Sequence, residues 1–260
     1  MFARFTRAIV RAPAPNFADG LTTVHLGAPD VAVALRQHAA YCAALERNGC
    51  TLITLPAESR YPDSTFVEDT ALLLPGQGAM LTRPGAESRA GEVDAIREAI
   101  TREFTQLAAI VAPGTLDAGD VCEAGRHVFI GISHRTNREG AQQLSAWLET
   151  HGVSSTTVDI RDMPGILHLK SGVVALDEGR LVAIGALAKH RAFRDCDVLR
   201  VPDGEEYAAN CVRVNDVVFV AAGYPATHAM LRASGYTLEV LDMSEFAKMD
   251  GGLSCLSLRF

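Results

Sequence analysis

One transition in the hydrophobic pattern recurs along the chain. Apolar residues at helical spacing, such as Val31, Leu35 and Ala39 or Ala141, Leu144 and Leu148, give way at a glycine to a short run of apolar and β-branched residues. The glycine is Gly49 before CTLITL, Gly152 before VSSTTVDI and Gly235 before YTLEVL, each where a helix needs a left-handed residue to end. Weaker joints of the same kind lie near Phe104, before QLAAIVAP, and near Asp195, before CDVLRVP. The spacing predicts helices over 30–48, 90–104, 136–151 and 225–234, the first opened by Pro29-Asp30 and the last by Pro225.

Two further strand candidates lie between the strand of one unit and the helix of the next. They are TFVEDTALLL with AMLTR, DAGDVCEA with HVFIGI, ILHLKSGVVAL with RLVAIG, and YAANCVRV with VVFVAA. Each unit therefore reads strand, strand, helix, strand. Repeats of roughly 40 to 55 residues mean a solenoid or a closed ring. The polar caps of a solenoid are absent, and LSCLSLRF reads as a strand that pairs back with the amino-terminal one. The expectation is one α/β domain over 1–260: a five-bladed α/β propeller of strand-strand-helix-strand units around a pseudo-five-fold axis. The opening MFARFTRAIVRAPAP carries Arg4, Arg7 and Arg11 with no acid before Asp19. It lacks the continuous apolar stretch of a targeting segment, and its alternation, closed by Pro13 and Pro15, reads as a first strand and turn.

Composition narrows the function. With 24 Lys and Arg against 31 Asp and Glu the formal charge is −7, and no local basic patch offsets it, which argues against a nucleic-acid partner. No run approaches the roughly 18 apolar residues of a membrane span. The six cysteines show no metal-ligand spacing, and a chain of this size needs no disulfide staples, so reduced thiols in a cytoplasm are expected.

Unusual polar residues occupy the same place in every unit, the entry to the strand that follows the helix-led strand. They are Asp63, Glu68 and Asp69, then Asp117 and Asp120, then His168 and Lys170, then Asn210, then Cys255. Taken singly, Cys255 would be an inert buried thiol, His168 a core histidine, and Asp117 and Asp120 turn formers. Glu68 and Asp69 are different, because adjacent carboxylates at the start of an apolar strand are costly unless a cation meets them. Gly251-Gly252 allows a close backbone approach just before Cys255. In a ring, equivalent positions converge at one end of the axis, which puts these groups in one pocket. A cysteine nucleophile needs an acid/base partner and a group that orients it, and Cys255, His168 and Asp117 supply the three. Acids in the pocket raise the thiol pKa unless the substrate brings positive charge, so a cationic substrate is expected. A guanidinium suits Asp63, Glu68 and Asp69, since it accepts bidentate carboxylates and exposes an electrophilic carbon. Arg89 and Arg135, in matching places before two helices, suit a carboxylate at the substrate's other end.

These residues resemble those of the dimethylarginine dimethylaminohydrolases, in the guanidino-group-modifying superfamily of five-bladed α/β propellers. The likeness runs through DGLTTVHLG at 19–27, YPDSTFVEDTA at 61–71, LTRPGAESRAGE at 81–92, APGTLDAGDV at 112–121, RTNREGA at 135–141, LHLKSG at 167–172, YAANC at 207–211 and DGGLSCLSLRF at 250–260. It implies that Cys255 is the nucleophile, His168 the general acid/base and Asp117 the orienting acid. Some bacterial relatives carry Glu at that last position; Asp117 resembles the mammalian form, so His168 is held slightly differently. It implies too that Asp63, Glu68 and Asp69 bind the guanidinium, Phe66 packs against it, and Arg89 and Arg135 bind the α-carboxylate. Leu21 and Met249 would give backbone contacts to the amino-acid end, with the loop around 17–25 as a lid. The implied reaction takes Nω-methylated arginine to citrulline and an amine through a covalent thiouronium, without metal or organic cofactor, although such a pocket can capture zinc adventitiously. A homodimer is the family-level expectation. The rival readings are arginine deimination, or hydrolysis of a related guanidino or ureido compound, by the same triad, and a non-catalytic propeller. The last predicts loss of the cysteine and histidine, and both are present.

Overall fold

A computed structural model describes residues 4–260. Its strands form five three-stranded sheets. The first joins β15 (Leu258–Arg259), β1 (Arg7–Arg11) and β2 (Thr51–Leu55); the second β3 (Ala71–Leu74), β4 (Gly78–Leu81) and β5 (Leu107–Ala109). The third holds β6 (Val121–Ala124), β7 (His127–Ile132) and β8 (Ser154–Asp159), and the fourth β9 (Val173–Asp177), β10 (Arg180–Ala183) and β11 (Asp197–Arg200). The fifth holds β12 (Val212–Val214), β13 (Val217–Ala221) and β14 (Thr237–Leu241). In every sheet the middle strand runs antiparallel to the inner strand and parallel to the outer one. The first blade draws its inner strand from the C-terminal end of the chain, so the ring is closed by pairing Ala8 with Arg259 and Ile9 with Leu258.

Burial follows this order. Middle strands such as AIVR of β1 and GAML of β4 are fully buried, because both edges are paired and both faces packed. Outer strands such as TLITL of β2 mix exposed and half-buried positions, since one of their edges is unpaired and a helix covers only one face. Those helices are α1 (Val31–Arg47), α2 (Glu92–Thr101), α3 (Arg138–Thr150) and, after the four-residue α4 (Leu169–Gly172), α5 (Pro225–Ala233). Asp30 caps α1 by accepting from the N–H groups of Ala32 and Val33, and Asn137 caps α3 through Gly140. Gly49, Gly152 and Gly235 have φ of 93°, 67° and 92°, the left-handed conformation expected at these helix ends. Leu144 and Leu148 of α3 are fully buried against the third sheet, each contributing roughly 1.5–3 kcal/mol.

Two expectations are corrected. The fourth unit has no α-helix between β10 and β11: the stretch ALAKHRAFRD lacks a helical apolar stripe and folds into turns with one 3-10 turn at Arg191–Phe193. The long strand candidates are also shorter than their patterns. Their first halves are helical turns at Val67–Thr70, Ala118–Asp120, α4, Glu206–Ala209 and Ser254–Leu256. A strand would send neighbours such as Glu68 and Asp69 to opposite faces, whereas a tight turn keeps both beside the axis, where hydrogen-bond donors meet them.

Candidate active site

The five turns lead into the five inner strands and bring their polar side chains to one end of the axis. His168, the N-cap of α4, has its Nε2 3.0 Å from Asp117 Oδ2. Asp117 Oδ1 accepts from the Gly85 N–H at 2.8 Å, which fixes the carboxylate. On the other edge of the ring, His168 Nδ1 lies 4.0 Å from Asp69 Oδ1, and Asp69 also accepts from the Gly119 N–H at 2.9 Å. Gly119 is required here: a Cβ on it would sit 2.6 Å from Asp69 Oδ1 and 2.8 Å from His168 Nδ1. Asp120 holds α4 by accepting from the Leu169 N–H at 2.8 Å and from Ser133 Oγ at 2.6 Å, so it positions His168 from behind.

These contacts set the charges. Burial alone would lower the His168 pKa, but the Asp69 charge, the Asp117 hydrogen bond and Asp120 outweigh it and hold the imidazolium up to about 9. Burial pushes Asp69 the other way, yet His168 and Arg89 keep it below the ordinary carboxylate range. Cys255 follows Ser254 in the last turn, and its Sγ accepts from the Gly252 N–H at 3.4 Å. Burial, followed by Glu68 and Asp69, pushes its thiol up to about 12 despite that N–H and Lys170. The ligand atoms of Asp69, Asp117 and His168 lie within 4.8 Å of one another, a set able to hold a metal ion.

The remaining sequence candidates fall around this centre in different states. Asp63 accepts the Leu21 N–H with both oxygens, at 3.0 and 3.1 Å, so the loop at 17–25 is tied to the turn that carries Asp63. Thr22 Oγ1 donating to Lys248 O and Thr23 Oγ1 on Asp250 fasten it further. Phe66 packs edge-on against Phe17 and Phe246, and Met249 is buried beside them. Glu68 is already met within the chain by two cations and a hydroxyl: Lys170 Nζ donates to it at 2.7 Å, Arg259 stands 3.7 Å away, and Ser254 Oγ donates at 2.8 Å. Arg89 is buried and gripped by Asp69 at 2.6 Å and by both oxygens of Glu92. Arg135 differs, since its buried Nη1 makes no hydrogen bond and its nearest carboxylate oxygen, Asp117 Oδ2, is 3.9 Å away. That donor is available to an incoming anion. Sequence reasoning missed Glu92 and Ser254. Glu92 stood three residues after Arg89, a helical pairing distance, but Ser254 carried no signal beyond preceding the cysteine.

No protein-family model matches the sequence. Among curated proteins, the chain is 45% identical over 257 residues to N(G),N(G)-dimethylarginine dimethylaminohydrolase of Pseudomonas aeruginosa, covering 98% of this chain and 100% of that one. It is 36% identical to the protein of the same name from Streptomyces coelicolor, over 97% of this chain and 96% of the relative. Among solved structures, a Cys-to-Ser variant of DDAH from Pseudomonas aeruginosa complexed with citrulline superposes with a TM-score of 0.95 at 44% identity, covering 99% and 100% of the two chains.

Proposed function

The chain belongs to the dimethylarginine dimethylaminohydrolase family, and from that premise we propose that it hydrolyses Nω-methylated L-arginine to L-citrulline and methylamine or dimethylamine, with residues 1–260 acting as one catalytic domain. Cys255 is the nucleophile, His168 the general acid/base and Asp117 the residue that orients the imidazole. Asp63, Glu68 and Asp69 face the guanidinium, with Phe66 beside it. Arg89 and Arg135 take the α-carboxylate, and the backbones of Leu21 and Met249 hold the amino-acid end. The observation that carries this reading is the thiol pushed up to about 12 by burial and two carboxylates. Such a sulfur is unreactive until positive charge arrives beside it, and a guanidinium brings both that charge and the carbon to be attacked.

The chemistry follows in two halves. The Cys255 thiolate adds to the guanidinium carbon, and His168, protonated below about pH 9, gives its proton to the methylated nitrogen. Collapse of the tetrahedral adduct breaks the carbon–nitrogen bond, releases the neutral amine and leaves the side chain as a thiouronium on Cys255. His168, now neutral, takes a proton from water as its oxygen adds to the same carbon. The new hydroxyl gives up its remaining proton to solvent as the carbon–sulfur bond breaks, returning thiolate and citrulline. The proton transfers contribute about 10²–10⁴-fold in rate, and alignment between the carboxylates and Arg135 supplies further acceleration. Asp117 keeps Nε2 occupied, so the Nδ1 edge is the one presented to substrate.

Parallel assays of citrulline and amine release from L-arginine, Nω-monomethyl-L-arginine and asymmetric dimethyl-L-arginine test the substrate class. Methylamine or dimethylamine with little ammonia supports it, and ammonia from arginine as the main product refutes it. The Cys255→Ser variant is expected to lose turnover while still binding substrate in calorimetry; retained turnover would refute the nucleophile assignment. Six free thiols are consistent with a cytoplasmic location, and a homodimer is the assembly we would test by sedimentation.

A further inference from the structure

Asn210 holds in its unit the repeated place that His168 and Cys255 hold in theirs, yet it takes no part in the two half-reactions. It closes the turn Glu206–Ala209 and is 6% exposed. Its side-chain amide spans two other turns. Nδ2 donates to the carbonyl of Lys170, two residues after His168, at 2.9 Å, and to Ser254 Oγ at 3.1 Å. Oδ1 accepts the N–H of Ser254, one residue before Cys255, at 3.0 Å. The amide fits in one orientation only, because a flip would set its oxygen against the Lys170 carbonyl and its NH2 against the Ser254 N–H.

This clasp joins main chain to main chain. A second link between the same two turns runs through Glu68, but that one holds Lys170 by the tip of a long side chain. The packing on the nucleophile side is close: a Cβ on Gly252 would lie 2.3 Å from Asn210 Oδ1 and 2.4 Å from its Cγ. The glycine whose N–H meets the Cys255 sulfur therefore rests directly on the Asn210 amide. Tyr207, in the same turn as Asn210, adds a hydroxyl bond to the Gly251 carbonyl at 2.7 Å. Asp120 ties α4 to Ser133 of the third blade, and Asn210 ties it to the turn that carries the sulfur.

We propose that Asn210 is a positioning residue, whose amide sets the separation between the turn of the Cys255 sulfur and the turn of the His168 imidazole. The inference rests on the methylarginine hydrolysis argued above. Sulfur and imidazole must meet one carbon and its departing nitrogen, then the same carbon and a water, and a misplacement of about 1 Å costs on the order of 10²-fold in rate. The place requires an amide, since it donates to one turn while accepting from the other. A carboxylate of the same shape keeps the acceptor but turns an oxygen on the Lys170 carbonyl, and an alanine reaches neither turn.

Asn210→Asp and Asn210→Ala are the test, with asymmetric dimethyl-L-arginine as substrate. Each is expected to lower kcat by on the order of 10²-fold, while substrate affinity, measured by calorimetry in the Cys255→Ser background, stays within about threefold of its value without the second change. A loss of affinity matching the loss of kcat, or kcat within about threefold of native, overturns the proposal. Crystal structures read the geometry without turnover. In Asn210→Ala the turn Ser254–Leu256 is expected to move by at least about 0.5 Å relative to α4 with the five sheets superposed, and a smaller displacement overturns the proposal. Should the alanine variant not fold, Asn210→Asp serves for both measurements. Failure of the hydrolysis reading is separate: it would show as no amine release by the native protein from any methylated arginine, and the displacement would still decide what Asn210 does.

Discussion

The thiol of Cys255 offers a quantitative test because its environment works against the reaction until substrate binds. Burial and the charges of Glu68 and Asp69 move it from an ordinary 9.0 to about 12. At neutral pH the thiolate fraction then falls by about a thousandfold relative to an ordinary cysteine, since each pH unit is a factor of ten. Alkylation by neutral iodoacetamide, followed by mass spectrometry on the peptide containing Cys255, reads this directly. Restricted access scales the rate at every pH but leaves the midpoint of the rate–pH curve untouched, so the midpoint is the quantity to compare. In the free protein the rate is expected to keep rising beyond pH 10, with no plateau. With millimolar guanidinium ion present the midpoint should move down, because a cation beside the sulfur favours the thiolate; citrulline, neutral at that end, should leave it in place. A plateau below about pH 9 in the free protein would refute the account, because the carboxylates and burial would then not be controlling the sulfur.

Three other outcomes follow from the site. Asp117→Asn removes the charge that orients His168, and kcat is expected to fall by about 10²–10⁴-fold, with the alkaline limb of the kcat/KM profile moving to lower pH. Gly119→Ala forces Asp69 and His168 apart at 2.6 and 2.8 Å, so activity should drop by on the order of 10²-fold while far-ultraviolet circular dichroism is preserved. His168 has its folded-state pKa raised to about 9, so the stability it contributes is complete below its ordinary 6.5 and is lost as pH rises through 9. The gap in Tm between the native protein and His168→Gln is therefore expected to narrow from pH 6 to pH 10; a widening gap would contradict that sign.

The repeat was legible because three of its helices, α1, α3 and α5, end on a left-handed glycine that leads straight into an outer strand. The fourth blade escaped because the repeated unit was extended over a stretch whose own sequence carries no helical apolar stripe. The strand starts were overextended for a related reason. TFVEDTALLL reads as one apolar run, but its acids meet donors that lie elsewhere in the chain: Arg89 and the Gly119 N–H for Asp69, and Lys170 and Ser254 for Glu68. A pattern in one segment holds no record of partners fifty or a hundred residues away. Periodicity did bring the right residues to one end of the axis, because position in a repeat is information about three dimensions. It could not reveal that Arg89 would be held by Glu92 while Arg135 kept a donor unfilled.

The pairing of β15 with β1 has a consequence in time as well as in space. During synthesis the first blade waits for a strand made at the far end of the sequence, and Ser254 and Cys255 arrive only just before it. Until Leu258 and Arg259 clear the ribosome the ring stays open, and the acids and the imidazole have no sulfur to face. A chain cut before Ser254 would thus hold the acids and the imidazole with no thiol opposite them.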